Sequence, residues 1–279
     1  MAFSGGFDQN VVQPEMNRVI PLAKKDTKAR ALMWMNVAFI VSLVLASFVF
    51  LDVNPIEILT APVPMVSFSA ENFFPPNTEN FNSYMPAIID TLFFAVVGTY
   101  VSAILSFILG VLMSERLNPN PVIRRVIRYF VSFLRNIPVL IWASLLVFVF
   151  GIGNMVGLIA LVLATIGFLS RSYAESMNDI AGDRLEAIHA SGASYMQILV
   201  HGLIPEFMPA WLNWTLFSFE INIRASAILG MVGAGGIGML IQANLNLRNF
   251  TESSTLIITL VVMVLLTELT VGRLRKKLA

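Results

Sequence analysis

The 279-residue chain balances 18 Lys and Arg against 17 Asp and Glu, is 57% apolar and 13% charged, and has a mean hydropathy of +0.77. The absence of cysteine excludes disulfides, thiolate catalysis and cysteine-held metal centres. A net charge of +1 sets up no global field for a nucleic acid partner, and apolar runs of bilayer length place the chain in a membrane lipid environment as an all-α polytopic protein.

In chain order, residues 1–30 are polar and then basic, with Lys24, Lys25, Lys28 and Arg30, and read as a cytoplasmic tail. The run 31–51 is too long for the apolar region of a signal peptide and reads as a retained first transmembrane helix. Residues 52–84 hold Asp52, Glu57, Glu71 and Glu79 but no Lys or Arg, which assigns them to an external, periplasmic loop. Pro55, Pro62, Pro64, Pro75 and Pro76 predict that this loop is irregular or interfacial. The run 85–113 returns inward to Glu115, Arg116, Arg124, Arg125 and Arg128.

Residues 122–151 read as a basic amphipathic approach followed by a crossing helix, with Gly151 and Gly153 at the outer turn. Residues 156–169 lead back to Arg171, so a cytoplasmic loop is expected over 171–208. A fifth crossing rises from Pro209 past Trp211 and Trp214 to Leu229, and residues 239–254 are expected outside or partly re-entrant. A sixth descends over 255–271, before Arg273, Arg275, Lys276 and Lys277 in a cytoplasmic tail over 273–279. About six crossings follow, with residues 85–272 as the core.

Within the 171–208 loop, residues 184–205 are polar and helix-prone between two membrane-length apolar runs. Gly192 tolerates backbone angles that other residues resist, and Pro205 cannot continue a helix, so two short helices joined at an angle are expected, the second ending at Pro205. His189 and His201 lie here without acidic neighbours at metal-ligand spacing and read as surface or docking residues, so no metal site is expected.

Three polar residues, Glu220, Asn222 and Arg224, fall near the middle of the fifth crossing, where an ionised group costs about 2.5 to 3.5 kcal/mol. Glu220 and Arg224 share a helical face and neutralise each other, while Asn222 points elsewhere. Two readings stand: a polar pathway whose guanidinium meets a phosphate-like oxyanion, or a pair that locks the bundle. Arg135, Asn136 and Pro138 make a second polar interruption at the head of the third crossing, open to a backbone acceptor, a lipid phosphate or a substrate.

The run Gly233-Ala-Gly235-Gly236-Ile-Gly238 matches G-x-G-x-x-G, but a membrane helix and not a strand precedes it, so the nucleotide reading fails. Together with Gly230 these glycines predict close helix packing or a gate-side turn. No G-x-x-x-x-G-K-[ST] is present, and neither catalytic residues nor a cofactor of its own is expected.

The spacing of Glu186, Ala187, Gly192 and Pro205, the block Glu220-x-Asn222-x-Arg224 with its glycine run, and Arg135-Asn-Ile-Pro138 resemble the permease subunit of phosphonate-type ABC importers over about 85–271. Ile188, Gly202 and Ile204 depart mildly from that pattern and leave open which ATP-binding subunit fits. The resemblance implies a type I, MetI-like core in a bacterial inner membrane, importing phosphonate, phosphite or phosphate. It implies two ATP-binding subunits holding ATP and Mg, a periplasmic phosphonate-binding protein and a second permease chain. Glu186, Ala187, Ser191, Gly192, Ala193 and Pro205 would transmit ATPase motion, and Glu220, Asn222, Arg224, Arg135 and Asn136 would border the substrate pathway. A competing class is a self-sufficient secondary transporter or channel in which Glu220 and Arg224 carry ion coupling; a membrane enzyme acting on phospholipid finds no acid–base constellation here.

Overall fold

A computed structural model describes residues 27–180, 188 and 190–278, and the regular structure among them is helical. The chain divides into two compact units, residues 1–66 and residues 67–279. In the first, α1 (Thr27–Phe50) is apolar around its whole circumference and exposes Leu32, Trp34, Phe39 and Leu45, the pattern of a lipid-facing span.

Within the region expected to be irregular or interfacial, the chain forms α2 (Pro55–Thr60) and α3 (Pro62–Phe73). Pro55 and Pro62 open these helices, where a missing N–H leaves no bond unmade and the fixed φ suits the helix. The Asn54 side chain caps α2, accepting from the Ile56 N–H at 3.0 Å.

The second unit continues with α4 (Phe81–Met113), α5 (Pro121–Asn136), α6 (Val139–Phe150), α7 (Asn154–Ile180), α8 (Ile204–Leu229), α9 (Gly236–Asn246) and α10 (Phe250–Leu278). Small residues on α4 let α7 approach closely, the usual solution where lipid supplies no hydrophobic drive between helices. A Cβ on Gly98 would lie 2.8 Å from Leu161 Cδ2, and one on Gly110 3.1 Å from Tyr173 Cβ. Ser102 Oγ donates across the same seam to the Val162 carbonyl at 3.2 Å.

Five helical stretches are long and apolar enough to span a bilayer, or six if α5 and α6 count as one bent span. The two meet at 87°, and the 12 residues of α6 reach only about 18 Å against a hydrocarbon core of about 30 Å. The expected third crossing is therefore a short helix set against an angled, amphipathic one.

Three expected boundaries move. α7 continues past Arg171 to Ile180, because Tyr173, Ala174 and Met177 supply a buried stripe and Arg171 pairs with Glu175 one turn on, Nε to Oε1 at 2.7 Å. Pro205 ends nothing. It stands in the first turn of α8, which the chain enters from a π-helical stretch, Ile198–Leu203, where an altered register removes the demand for its N–H. Residues 239–246 belong to α9, packed on α4 and α10, and α10 already begins at Phe250.

Candidate transport and coupling sites

Glu220 and Arg224 sit one turn apart on α8, and Arg224 Nη2 donates to Glu220 Oε1 at 3.2 Å. A third member was not foreseen: Arg275 of α10 places Nη2 3.7 Å from Glu220 Oε2 and its guanidinium 5.3 Å from the Phe217 ring centroid. No sequence signal marked it, because the burial of Val271, one turn earlier on the same face, emerges only from the packing of α10. This contact brings Glu220 against the basic end of α10. Arg224 is the most exposed of the three side chains, at 47%.

Asn222 turns the other way. Its Nδ2 donates to Thr99 Oγ1 at 2.8 Å and its Oδ1 accepts from Thr165 Oγ1 at 3.0 Å, while Thr99 donates onward to the Ala95 carbonyl at 2.6 Å. The carboxamide thus joins α4, α7 and α8 inside the packed unit, buried and bonded at both ends. Beside it a cavity of about 240 Å³ opens between α6, α7 and α8, lined by Val139, Leu161, Phe168, Ser218, Ile221 and Asn222 among others. The buried Ser218 hydroxyl has no hydrogen-bond partner among the described residues.

Arg135 and Asn136 close α5 at its bend into α6, and both are exposed. The Leu134 carbonyl, near the end of α5, accepts from Trp142 Nε1 of α6 at 3.4 Å. α7 packs directly beneath this corner: a Cβ on Gly167 would fall 2.7 Å from the Arg135 backbone nitrogen. Arg135 is therefore brought toward Arg128 and Arg171, and not toward Glu220, Asn222 or Arg224.

The glycines after α8 form a tight reversal. A Cβ on Gly230 would lie 2.8 Å from Gly238 Cα, and one on Gly238 would overlap the Ala227 carbonyl. Gly233 takes φ +96°, a left-handed angle that side chains resist. Gly235 is held against Asn154, and a Cβ on Gly236 would lie 2.6 Å from Thr91 Oγ1, which accepts from the Ile237 N–H at 2.8 Å. Asn154 in turn donates to Asp90 Oδ2 at 3.2 Å.

Of the expected coupling residues, Glu186 and Ala187, like His189, lie outside the described residues. Ser191 donates to the Ile188 carbonyl at 2.7 Å, and Gly192 follows in an exposed turn at φ +84° with open space where a side chain would go. The next helical turn, Tyr195–Gln197, starts with a capping box in which Gln197 Oε1 accepts from the Ser194 N–H at 2.8 Å. Tyr195, Met196, Val200 and His201 are exposed. On the opposite side Ile198, Leu203 and Phe207 join Leu169, Tyr173 and Met177 in one buried cluster, against which Ile188 and Ala193 pack. Tyr173 closes it, edge-on to Phe207 at 5.4 Å with its hydroxyl 2.6 Å from Thr215 Oγ1.

Residues 106–278 match the family described as binding-protein-dependent transport system inner membrane component. The chain belongs to that family. As an inner membrane component it resembles the phosphite transport system permease protein PtxC of Stutzerimonas stutzeri, 29% identical over 86% of this chain and 88% of that protein. It also resembles the phosphate-import permease protein PhnE of Mycolicibacterium smegmatis, 31% identical over 84% of this chain but 44% of that longer protein, of which it spans less than half.

The fold of this inner membrane component is that of the inward-facing MetNI methionine ABC transporter, at a TM-score of 0.62 and 24% identity over 70% of this chain and 96% of that one. A bacterial alginate ABC transporter shares it at a TM-score of 0.60 and 13% identity, over 88% and 97%. The chain is thus an all-α, polytopic permease with a MetI-like core.

Proposed function

We propose that the chain is the permease subunit of an ATP-driven importer for a phosphorus oxyanion: phosphonate, phosphite or phosphate. One observation carries the choice of solute. Relatives named for phosphite transport and phosphate import align with more than four-fifths of this chain.

In this reading two ATP-binding subunits hold ATP and Mg, an external substrate-binding protein delivers the solute, and two copies of the chain enclose the pathway. Lys and Arg gather where α4 ends, along α5 and at the end of α10, which favours the cytoplasm for that face and for the C-terminal end, and Lys24, Lys25, Lys28 and Arg30 favour it for residues 1–30 by the same charge rule. The Gly192 turn then faces the ATP-binding subunits, with Glu186, Ala187, Ser191 and Ala193 around it. Movement there passes through Ile198, Leu203 and Phe207 into Leu169, Tyr173 and Met177, because a close-packed cluster transmits displacement and does not absorb it. Pro205 stiffens the step from the π-helical stretch into α8. Arg224 uses one N–H on Glu220 and keeps its remaining donors for a passing oxyanion. Asn222 holds α8 in the phase that presents Arg224, and the Gly230 to Gly238 reversal fixes the far end of α8.

The test is uptake of labelled phosphonate, phosphite and phosphate into vesicles at fixed ion gradients, with and without the ATP-binding and substrate-binding partners. Uptake that requires both partners and ATP is the expected result and ranks the solutes. Uptake by the chain alone, driven by an ion gradient, overturns the proposal.

A further inference from the structure

Three arginines converge where α4, α5 and α7 meet. Arg128 and Arg135 of α5 and Arg171 of α7 line a cavity of about 240 Å³ together with Ser132, Glu175 and Asn178. The lining thus holds three arginines and one carboxylate, with Glu115 a second carboxylate bound to Arg128. Arg128 is anchored, its Nη2 lying 2.9 Å from Glu115 Oε1 and 3.2 Å from the Met113 carbonyl. Arg171 engages Glu175 through Nε alone, at 2.7 Å, which leaves its two terminal nitrogens. Arg135 makes no hydrogen bond or ion pair with any described residue.

Planar guanidinium forks with unused donors match the oxygens of a tetrahedral oxyanion, and a rim of like charges in a concave site strengthens that preference. The neighbouring surface points to the source of the ligand. α5 exposes Val126, Tyr129, Phe130 and Phe133 beside its arginines and turns 87° away from α6. A basic helix with an exposed aromatic and aliphatic face lies in the bilayer interface, at the depth of headgroup phosphates.

We infer that the Arg128, Arg135 and Arg171 cavity is a phosphoryl oxyanion site, filled by a phospholipid headgroup on the membrane face where α5 lies. This site rests on the membrane fold, not on the identity of the solute. Holding a lipid there would fix the corner between α5 and α7 against which Gly167 packs.

The test is native mass spectrometry of the purified full chain in detergent, titrated with phosphatidylglycerol, with diacylglycerol of the same acyl chains, and with inorganic phosphate. Phosphatidylglycerol binds saturably and diacylglycerol does not displace it. The R135Q/R171Q variant weakens phosphatidylglycerol binding by about tenfold or more, as loss of charge-assisted hydrogen bonds predicts. Arg125, whose Nε donates to the Pro121 carbonyl outside the cavity, serves as the control, and R125Q leaves the affinity unchanged. Glu175→Gln releases Arg171 and tightens binding, a gain that misfolding does not produce. Arginine-dependent binding of phosphate without binding of phosphatidylglycerol keeps the oxyanion site and overturns the lipid source. Equal affinity in wild type and R135Q/R171Q, or an equal loss in R125Q, overturns the site.

Discussion

Two polar groups stand two residues apart on α8 and lead opposite lives. Asn222 is buried between α4, α7 and α8 with donor and acceptor both bonded, whereas Glu220 lies between Arg224 of its own helix and Arg275 at the basic end of α10. Residues two apart on a helix point in directions far from each other, so one polar stretch in an apolar span serves two purposes. A neutral amide suits this seam because both of its bonds go to threonine hydroxyls. A carboxylate needs cations, and finds them where the helices approach water.

This contrast predicts a graded series, read as thermal unfolding of the detergent-solubilised chain. Asn222→Asp has the largest effect: it removes the donor to Thr99 and places a carboxylate in the seam, with an expected loss of about 2.5 to 3.5 kcal/mol. Asn222→Ala deletes two interhelical hydrogen bonds without adding charge, for a loss of about 1 to 2 kcal/mol. Glu220→Gln lies at the small end, at most about 1 kcal/mol, because its nearer partner Arg224 is half in solvent. A Glu220→Gln effect as large as that of Asn222→Asp would erase the distinction. The same pair separates in function: Asn222→Ala should lower the amount of folded permease with little change in the solute concentration for half-maximal uptake, while Arg224→Gln should raise that concentration at normal abundance.

The sequence carried the helices better than their partners. Uniform apolar runs made α1, α4 and α10 legible, because bilayer length and hydropathy leave little alternative. The end of α7 was hidden, since 171–180 is polar and its buried stripe emerges only once α4 and the cluster around Phe207 are in place. Pro205 misled, because the same residue that breaks a helix interior also opens a helix. The Glu220 and Arg224 pair was readable from spacing within one turn. Arg275, fifty-five residues beyond Glu220, was not, because spacing along the chain carries no record of which helices become neighbours. Likewise Arg128 and Arg171 read as inner-face charges and Arg135 as a pathway residue, and only the packing of α5 on α7 brings the three to one cavity.

The central claim is that the Gly192 turn and the buried cluster behind it convert ATPase movement into movement of the bundle. The direct measurement is the ratio of solute imported to ATP hydrolysed in vesicles containing the full assembly, for wild type and Gly192→Val. At φ +84° a β-branched side chain is strained although the space beside it is open, so the substitution alters the turn and not the packing behind it. Continued hydrolysis with uptake reduced by at least about fivefold is the predicted result, the size expected when a backbone conformation worth about 1 to 3 kcal/mol is lost. Import at the wild-type ratio in Gly192→Val would contradict the account.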